Sequence, residues 1–349
     1  MSANSINSIS EFLLHAGTEY HVIDMGRRLT PTASQTFLDI ENGSAYAPYP
    51  RQQHAWFGIV FWNKQASQSH YIWFIKLPLD EQGLVVAAAR NHFLDIIVDA
   101  LGQSIAQESE KAQTLPDNPY SFVPGQSQLA QFNAMVKNIL GQPLSEHAQK
   151  VEAYIQAPQL VDWQQIPMQS VADFIHALAS HSKSNNLLQA ISDNQAIYAD
   201  VFLNTLMEMS ESITTPVELK NLMFEKLMCD DQVSVSALRG LSSDSFDQTL
   251  HDTLCELLHD ERSQRVDILS VIAARHFSQM DNVLLSAFLE QVANVDNKEA
   301  HSGALFSGFF SDLVQIPQLR RQVLTLLHTN ESSKVLSAAF AQLFAQARK

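Results

Sequence analysis

Over roughly the first 110 positions apolar residues come in short alternating runs, and beyond residue 126 they recur at helical spacing; this change of rhythm divides the chain. EYHVIDM (19–25) alternates and is β-branched, which predicts a strand. HAWFGIVFW (54–62) and HYIWFIKLPL (70–79) predict a hairpin. In the first run Trp56, Val60 and Trp62 point one way, and Phe57, Ile59 and Phe61 the other. In the second, Tyr71, Trp73, Ile75 and Leu77 oppose Ile72 and Phe74. A strand with one wet face would carry polar residues at alternate positions, so both faces are expected to be covered. Three aromatics on an open face would show roughly 450–750 Å², at or above the ~300–600 Å² patch of an ordinary monomer.

Short helices are expected around this hairpin. Ser8-Ile9-Ser10-Glu11 has the capping-box pattern, with a stop near Gly17, and residues 33–42 read as a helix ended by Gly43. Residues 79–102 predict a longer helix capped by Asp80 and ended by Gly102. Its stripe of Leu84, Ala88, Phe93, Ile96, Ile97 and Leu101 would cover one sheet face.

After the loop PDNPYSFVPG (116–125), helix signals follow one another. Thr215-Pro216-Val217-Glu218 and Asp296-Asn297-Lys298-Glu299 read as helix starts, as does Pro317. Alternate starts near 243, 281 and 316, and near 262, 296 and 331, give a period of roughly 35 residues, that of helix-pair repeats. The tetratricopeptide Trp/Gly/Tyr pattern is missing, and VSVSALRGLS (233–242) looks more like a HEAT helix. The expected fold is therefore α+β, a small antiparallel sheet with packed helices followed by an all-α body, either a HEAT-like solenoid or an irregular bundle. The boundaries expected are a head at 1–113, a linker or strap at 114–126 with Tyr120 and Phe122 tucked into the domain seam, and a helical domain at 127–349. A further division near 195–215 stays open.

Charge narrows the function. Of 349 residues only 17% are charged and the net charge is −15, which disfavours phosphate backbones and anionic lipid as partners. Two cysteines, Cys229 and Cys255, do not make a disulfide framework and fit a reducing compartment. MSANSINSISEFLLHAG has no Lys or Arg and no long apolar centre, so no secretory signal is expected. WFGIVFW, the longest apolar run, is too short to span a bilayer. The expectation is a soluble, acidic, cytoplasmic chain with neither nucleic acid nor membrane as partner.

Catalytic signatures such as G-x-G-x-x-G, the Walker loop, G-x-S-x-G, H-E-x-x-H and C-x-x-C are absent, which leans the reading away from an enzyme and calls for no cofactor. HDTLCELLH puts His251, Cys255 and His259 on one helical face. His251 and His259 would lie ~12 Å apart along the axis, against zinc bonds of ~2.0–2.3 Å. One ion cannot take all three, which leaves His251 and Cys255 as a weak metal candidate beside the plainer reading of a buried Cys flanked by half-exposed histidines. A second cluster is cationic. Arg27, Arg28, Arg51, His54 and Arg90 would meet at one sheet edge and hold an anion or a partner's carboxylate. Ordinary strand-end charge, paired to Asp24, Asp39, Asp80 and Glu81, is the competing reading.

Taken together, GTEYHVIDMGRR, PYPRQQHAWFGIVFWN, YIWFIKLPLDEQG and DNPYSFVPG resemble an uncharacterised family of proteobacterial proteins of about this length, known only as a domain of unknown function. The resemblance runs along the whole chain and is densest before residue 126. It implies a bacterial cytoplasmic origin and carries no activity, cofactor or catalytic residue. The expected function is that of a non-enzymatic adaptor that binds another protein. The alternative is a small-anion sensor or enzyme using the sheet edge.

Overall fold

The capping signal at Ser8 is used: its hydroxyl accepts the Glu11 N–H at 3.0 Å and starts helix α1, Ile9–His15. The computed structural model describes residues 7–63, 69–107, 117–143, 145–178, 184–229, 232–327 and 333–346, with backbone alone for 101–107 and 229. Residues 1–124 with 315–317 form one compact unit, and 125–314 with 318–349 form another.

The first unit is built on a four-stranded antiparallel sheet in the order β2-β1-β3-β4, from β1 (Glu19–Asp24), β2 (Thr30–Thr32), β3 (His54–Trp62) and β4 (His70–Pro78). The hairpin register pairs Phe57 with Ile75 and Ile59 with Trp73, so the two sets of side chains separate as the alternation requires. Phe57, Ile59, Ile75 and Leu77 form one core with α1, with α2 (Ser34–Glu41) and with α3 (Ala87–Gln107), through Ile9, Leu13, Phe37, Ile40, Phe93 and Ile97.

On the opposite face Ile23 and Val60 are fully buried and Trp56 nearly so, while Trp62, Ile72 and Phe74 are half-buried. The dry layer thus holds at the centre of β3 and gives way toward β4. Phe122 lies edge-on to Trp56 at 4.7 Å and tilted against Phe74 at 5.7 Å. Residues 120–122, expected as part of a strap, instead bond along the outer edge of β4. Lys76 N–H donates to Tyr120 O at 2.7 Å and Phe122 N–H to Phe74 O at 3.2 Å. At the other edge, β2 is three residues long with Pro31 at its centre, which has no N–H to offer.

Two expectations about α3 are corrected. Asp80 does not cap it; its carboxylate accepts the N–H groups of Gln82 and Leu84, both at 2.9 Å, and closes a turn ahead of the helix. The helix also continues past Gly102, and its buried stripe is Ala89, Arg90, Phe93, Leu94 and Ile97, with Ala88 exposed.

The second unit consists of stacked helices. One row is α4 (Gln126–Ile139), α6 (Met168–Ala177), α8 (Asp200–Met209), α10 (Val235–Gly240) and α12 (Val266–Arg275), each packed on the next. Between them run α5 (Ala148–Gln156), α7 (Ser184–Asn194), α9 (Val217–Leu227), α11 (Gln248–His259) and α13 (Asn282–Lys298). In this second row α5 packs on α7, α7 on α9, and α11 on α13. Its members begin at 148, 184, 217, 248 and 282, the near-constant step of a helical-repeat body. Helices α14 (Ala304–Gln315), α15 (Pro317–Leu326) and α16 (Lys334–Gln346) follow, and a small hairpin, β5 (Met228–Cys229) with β6 (Gln232–Val233), which the periodicity did not predict, trails α9.

Two anticipated starts shift. Pro216, not Thr215, occupies the cap position of α9. No helix begins at Asp296: α13 runs through it, and the buried Asp296 carboxylate accepts the N–H groups of Gly303 at 2.6 Å and Phe306 at 2.9 Å at the start of α14. The expected start near 331 falls outside the described residues.

An ionic knot ties the first row together. Glu211, 3% exposed in the turn after α8, accepts from Arg239 Nε at 2.9 Å, Arg239 Nη2 at 2.8 Å, Arg275 Nε at 3.0 Å and Gln131 Nε2 at 3.0 Å. Arg239 also pairs with Glu208, which accepts from the Ser127 hydroxyl. Helices α4, α8, α10 and α12 therefore all contribute. Burial by itself would raise the Glu211 pKa, but Arg275 and Arg239 pull it down to about 2. The stability it brings is present above the ordinary carboxylate value and is lost as pH falls toward about 2. We predict that Glu211→Gln lowers urea-unfolding stability by about 3–5 kcal/mol, because two arginines lose their buried partner. Glu208→Gln, at the more open end of the knot, is expected to cost about 1 kcal/mol.

Candidate functional site

Of the five residues of the cationic cluster, Arg27, Arg51 and His54 converge where β1 ends and β3 begins. Asp24 closes β1, fully buried, and its Oδ1 accepts the Gly26 N–H at 2.8 Å. Burial pushes its carboxyl up to about 8, against the pull of the Gly26 N–H, Arg27 and Arg51. Arg27 is itself 2% exposed, and Arg28 follows half-buried. The Arg51 guanidinium lies 4.0 Å from the Trp56 ring centroid, with Lys76 Nζ at 5.5 Å from the same ring, and Arg51 O accepts the Trp56 indole N–H at 2.8 Å.

Arg51 and His54 exchange both backbone hydrogen bonds across a two-residue turn in which Gln52 and Gln53 have φ of 51° and 58°. Such a turn ordinarily takes Asn or Gly. The His54 ring donates through Nδ1 to Gln52 O, 2.7 Å away, and stands 6.2 Å from Trp56. Gly26 is obligatory here, because a Cβ would fall 1.8 Å from Tyr49 O.

Arg90 is elsewhere. It donates to Glu41 O at 2.9 Å and to the side chains of Asn42 and Asn91, at the C-terminal end of α2. The Glu41 carboxylate in turn accepts the N–H groups of Ile9 at 2.6 Å and Ser10 at 3.0 Å. Arg90 therefore ties α3 to α2, Glu41 carries the link on to α1, and Arg90 does not join the sheet-edge cluster.

The His251–Cys255–His259 face divides as helix geometry demands. His251 Nε2 lies 3.2 Å from Asp281 Oδ1 and 3.9 Å from Cys255 Sγ, and Nδ1 lies 3.2 Å from Asp252 Oδ1. His259 turns back to the Cys255 carbonyl at 2.6 Å. Among the described residues no group of three or more His, Cys, Asp or Glu side chains is placed to hold a metal ion. His251 instead joins α11 to α13, because Asp281 also caps α13 by accepting the Leu284 N–H at 2.8 Å.

This contact is part of an edge formed by the N-terminal ends of α9, α11 and α13. Lys220 of α9 pairs with Asp247, the cap of α11, and the Phe246 ring lies 5.4 Å from that of His251. Three apolar side chains stand out along it: Val217 at 68%, Phe246 at 53% and Val283 at 64% exposure.

The family model described as "Protein of unknown function (DUF3549)" matches residues 4–344. The chain belongs to that family. No curated protein and no solved structure matches it. Among the described residues of this family member, no helix is long and apolar enough to cross a membrane.

The exposed edge and the Glu211 knot were both missed in the sequence. For the edge a signal existed: Val217 and Val283 each sit within the first turn or two after a helix start, off the apolar stripe. For the knot there was none, since its members are 28 and 64 residues from Glu211.

Two outcomes are expected. Gly26→Ala costs about 3 kcal/mol in urea unfolding, at the upper end for overpacking, whereas Gly308→Ala, with nothing within 4 Å, is neutral or stabilising by up to about 1 kcal/mol. Burial lowers the His251 pKa, but the bonds to Asp252 and Asp281 outweigh it and raise it above 6.5. Its stabilising contribution is then full below 6.5 and fades as pH rises through the raised value. The stability difference between the wild type and His251→Asn is therefore largest in mild acid and shrinks in mildly alkaline buffer.

Proposed function

We propose that this chain is a non-enzymatic interaction protein of the cytoplasm, an adaptor whose helical-repeat body docks another protein along the edge made by α9, α11 and α13. The exposed apolar series Val217, Phe246 and Val283 carries this reading. Large apolar side chains aligned on a polar rim mark contact sites, and stacked helix pairs offer extended binding surfaces. Glu218, Asp247, Asp252 and Asp281 flank the series, so the partner it fits presents apolar side chains bordered by Lys or Arg. Neither nucleic acid, membrane nor cofactor enters this reading, in keeping with the net charge of −15.

The test is affinity capture with the wild type and with a Val217→Ser/Phe246→Ser/Val283→Ser variant matched for melting temperature. The wild type is expected to retain one stoichiometric basic or amphipathic protein, which the variant loses by tenfold or more. Equal recovery by both proteins, or no retained partner for the wild type, defeats the proposal.

A further inference from the structure

His251 has more partners than one imidazole can serve at once. Its side chain lies near the start of α11, buried, with the Phe246 ring 5.4 Å away. Nδ1 stands 3.2 Å from Asp252 Oδ1, while Nε2 stands 3.2 Å from Asp281 Oδ1 and 3.9 Å from Cys255 Sγ. Asp252 and Cys255 belong to α11, and Asp281 is the cap of α13. Among the described residues these are the titratable groups that face the ring; Lys220 of α9 is taken by Asp247.

Proton counting separates these contacts into two sets. Carboxylates only accept, so meeting both of them requires an N–H on each ring nitrogen, which the imidazolium alone has. The neutral ring keeps a single N–H. With it on Nδ1, Asp252 accepts it and the Nε2 lone pair accepts the Cys255 S–H, so both nitrogens are answered within α11. With it on Nε2, Asp281 accepts it, but no described residue offers Nδ1 a proton. Burial, with Asp281 and Asp252 alongside, pushes the Cys255 thiol up, so it keeps its proton through neutral pH and can donate.

We propose that His251 is a proton-operated latch between α11 and α13. As an imidazolium it donates to Asp252 and Asp281 together and holds the head of α13 against α11. When the Nε2 proton leaves to water, Nε2 accepts the Cys255 S–H instead and the ring lets the Asp281 carboxylate go. Asp281 then caps α13 alone, through the Leu284 N–H. The latch is closed in mild acid and opens as pH rises through the raised His251 value. It deepens the docking reading, because Phe246 packs on the latch ring and Val283 follows Asp281 by two residues. Only that consequence rests on docking; the latch itself is read on the chain alone, so the failure of one is distinguishable from the failure of the other.

Proton–nitrogen correlation spectra of the full chain, isotope-labelled at histidine, follow the ring from about pH 5 to about pH 9. A His251→Asn variant identifies its signals among the 13 histidines. The ring is expected to titrate above 6.5, and its neutral form to carry the proton on Nδ1. Cys255→Ala, which removes the S–H donor, should shift the neutral proton to Nε2. Asp281→Asn, whose side chain still caps α13, should lower the midpoint by roughly one pH unit. In urea unfolding, a double-mutant cycle of His251→Asn with Asp281→Asn should show a coupling of ~threefold or more in the unfolding constant near about pH 5.5, lost near about pH 8.5. A neutral wild-type ring protonated on Nε2 overturns the latch, whatever the variants do. So does a Cys255→Ala protein with the wild-type tautomer, or a coupling that is equal at both pH values.

Discussion

A carboxylate enclosed by protein is tolerated only where hydrogen-bond donors or cations are delivered to it, and in the helical body Glu211 is the one met by two arginines and an amide. Its partners come from α4, α10 and α12, three elements far apart in the chain, and each must be in register for the charge to be neutralised. Apolar packing alone lets helices slide by a fraction of a turn at modest cost. Bonds of 2.8–3.0 Å to a single buried group do not. The repeat geometry of the first row is thus fixed from its middle outward, and the edge made by the second row inherits that order.

The sheet unit uses the same device at smaller scale. Glu41 takes the N-terminal N–H groups of α1 with its side chain while its carbonyl takes Arg90, so one residue of α2 orients both neighbouring helices over the core. Asp24 differs. Arg27 and Arg51 face it, yet burial outweighs them and holds its proton near neutral pH. These charges serve the corner where Gly26 meets Tyr49, and Arg51 spends its flat face on Trp56.

Local rhythm made much of this legible. Period-two alternation assigned both faces of β3 and β4 to their correct sides, and the repeat step of the helices followed from apolar spacing and caps. What rhythm cannot encode is which polar residue serves which helix. Asp296 looks like the start of a helix and is instead the acceptor for the next one, across a turn containing Ala300 and Ser302 at positive φ. Arg90 belongs by position to the sheet edge and by contact to α2. The short β2 strand escaped notice because three residues centred on proline carry no alternation. The edge series Val217, Phe246 and Val283 has no rhythm of its own, since each member sits at the beginning of a different helix.

Both flanks of the sheet are stopped. Pro31 interrupts one, and residues 120–122 occupy the middle of the other. A foreign strand would find a proline without an N–H at the first flank, and at the second would have to evict residues 120–122. Runaway polymerisation through the aromatic hairpin is thereby blocked, and main-chain zippering is closed to this half of the molecule as a mode of recognition.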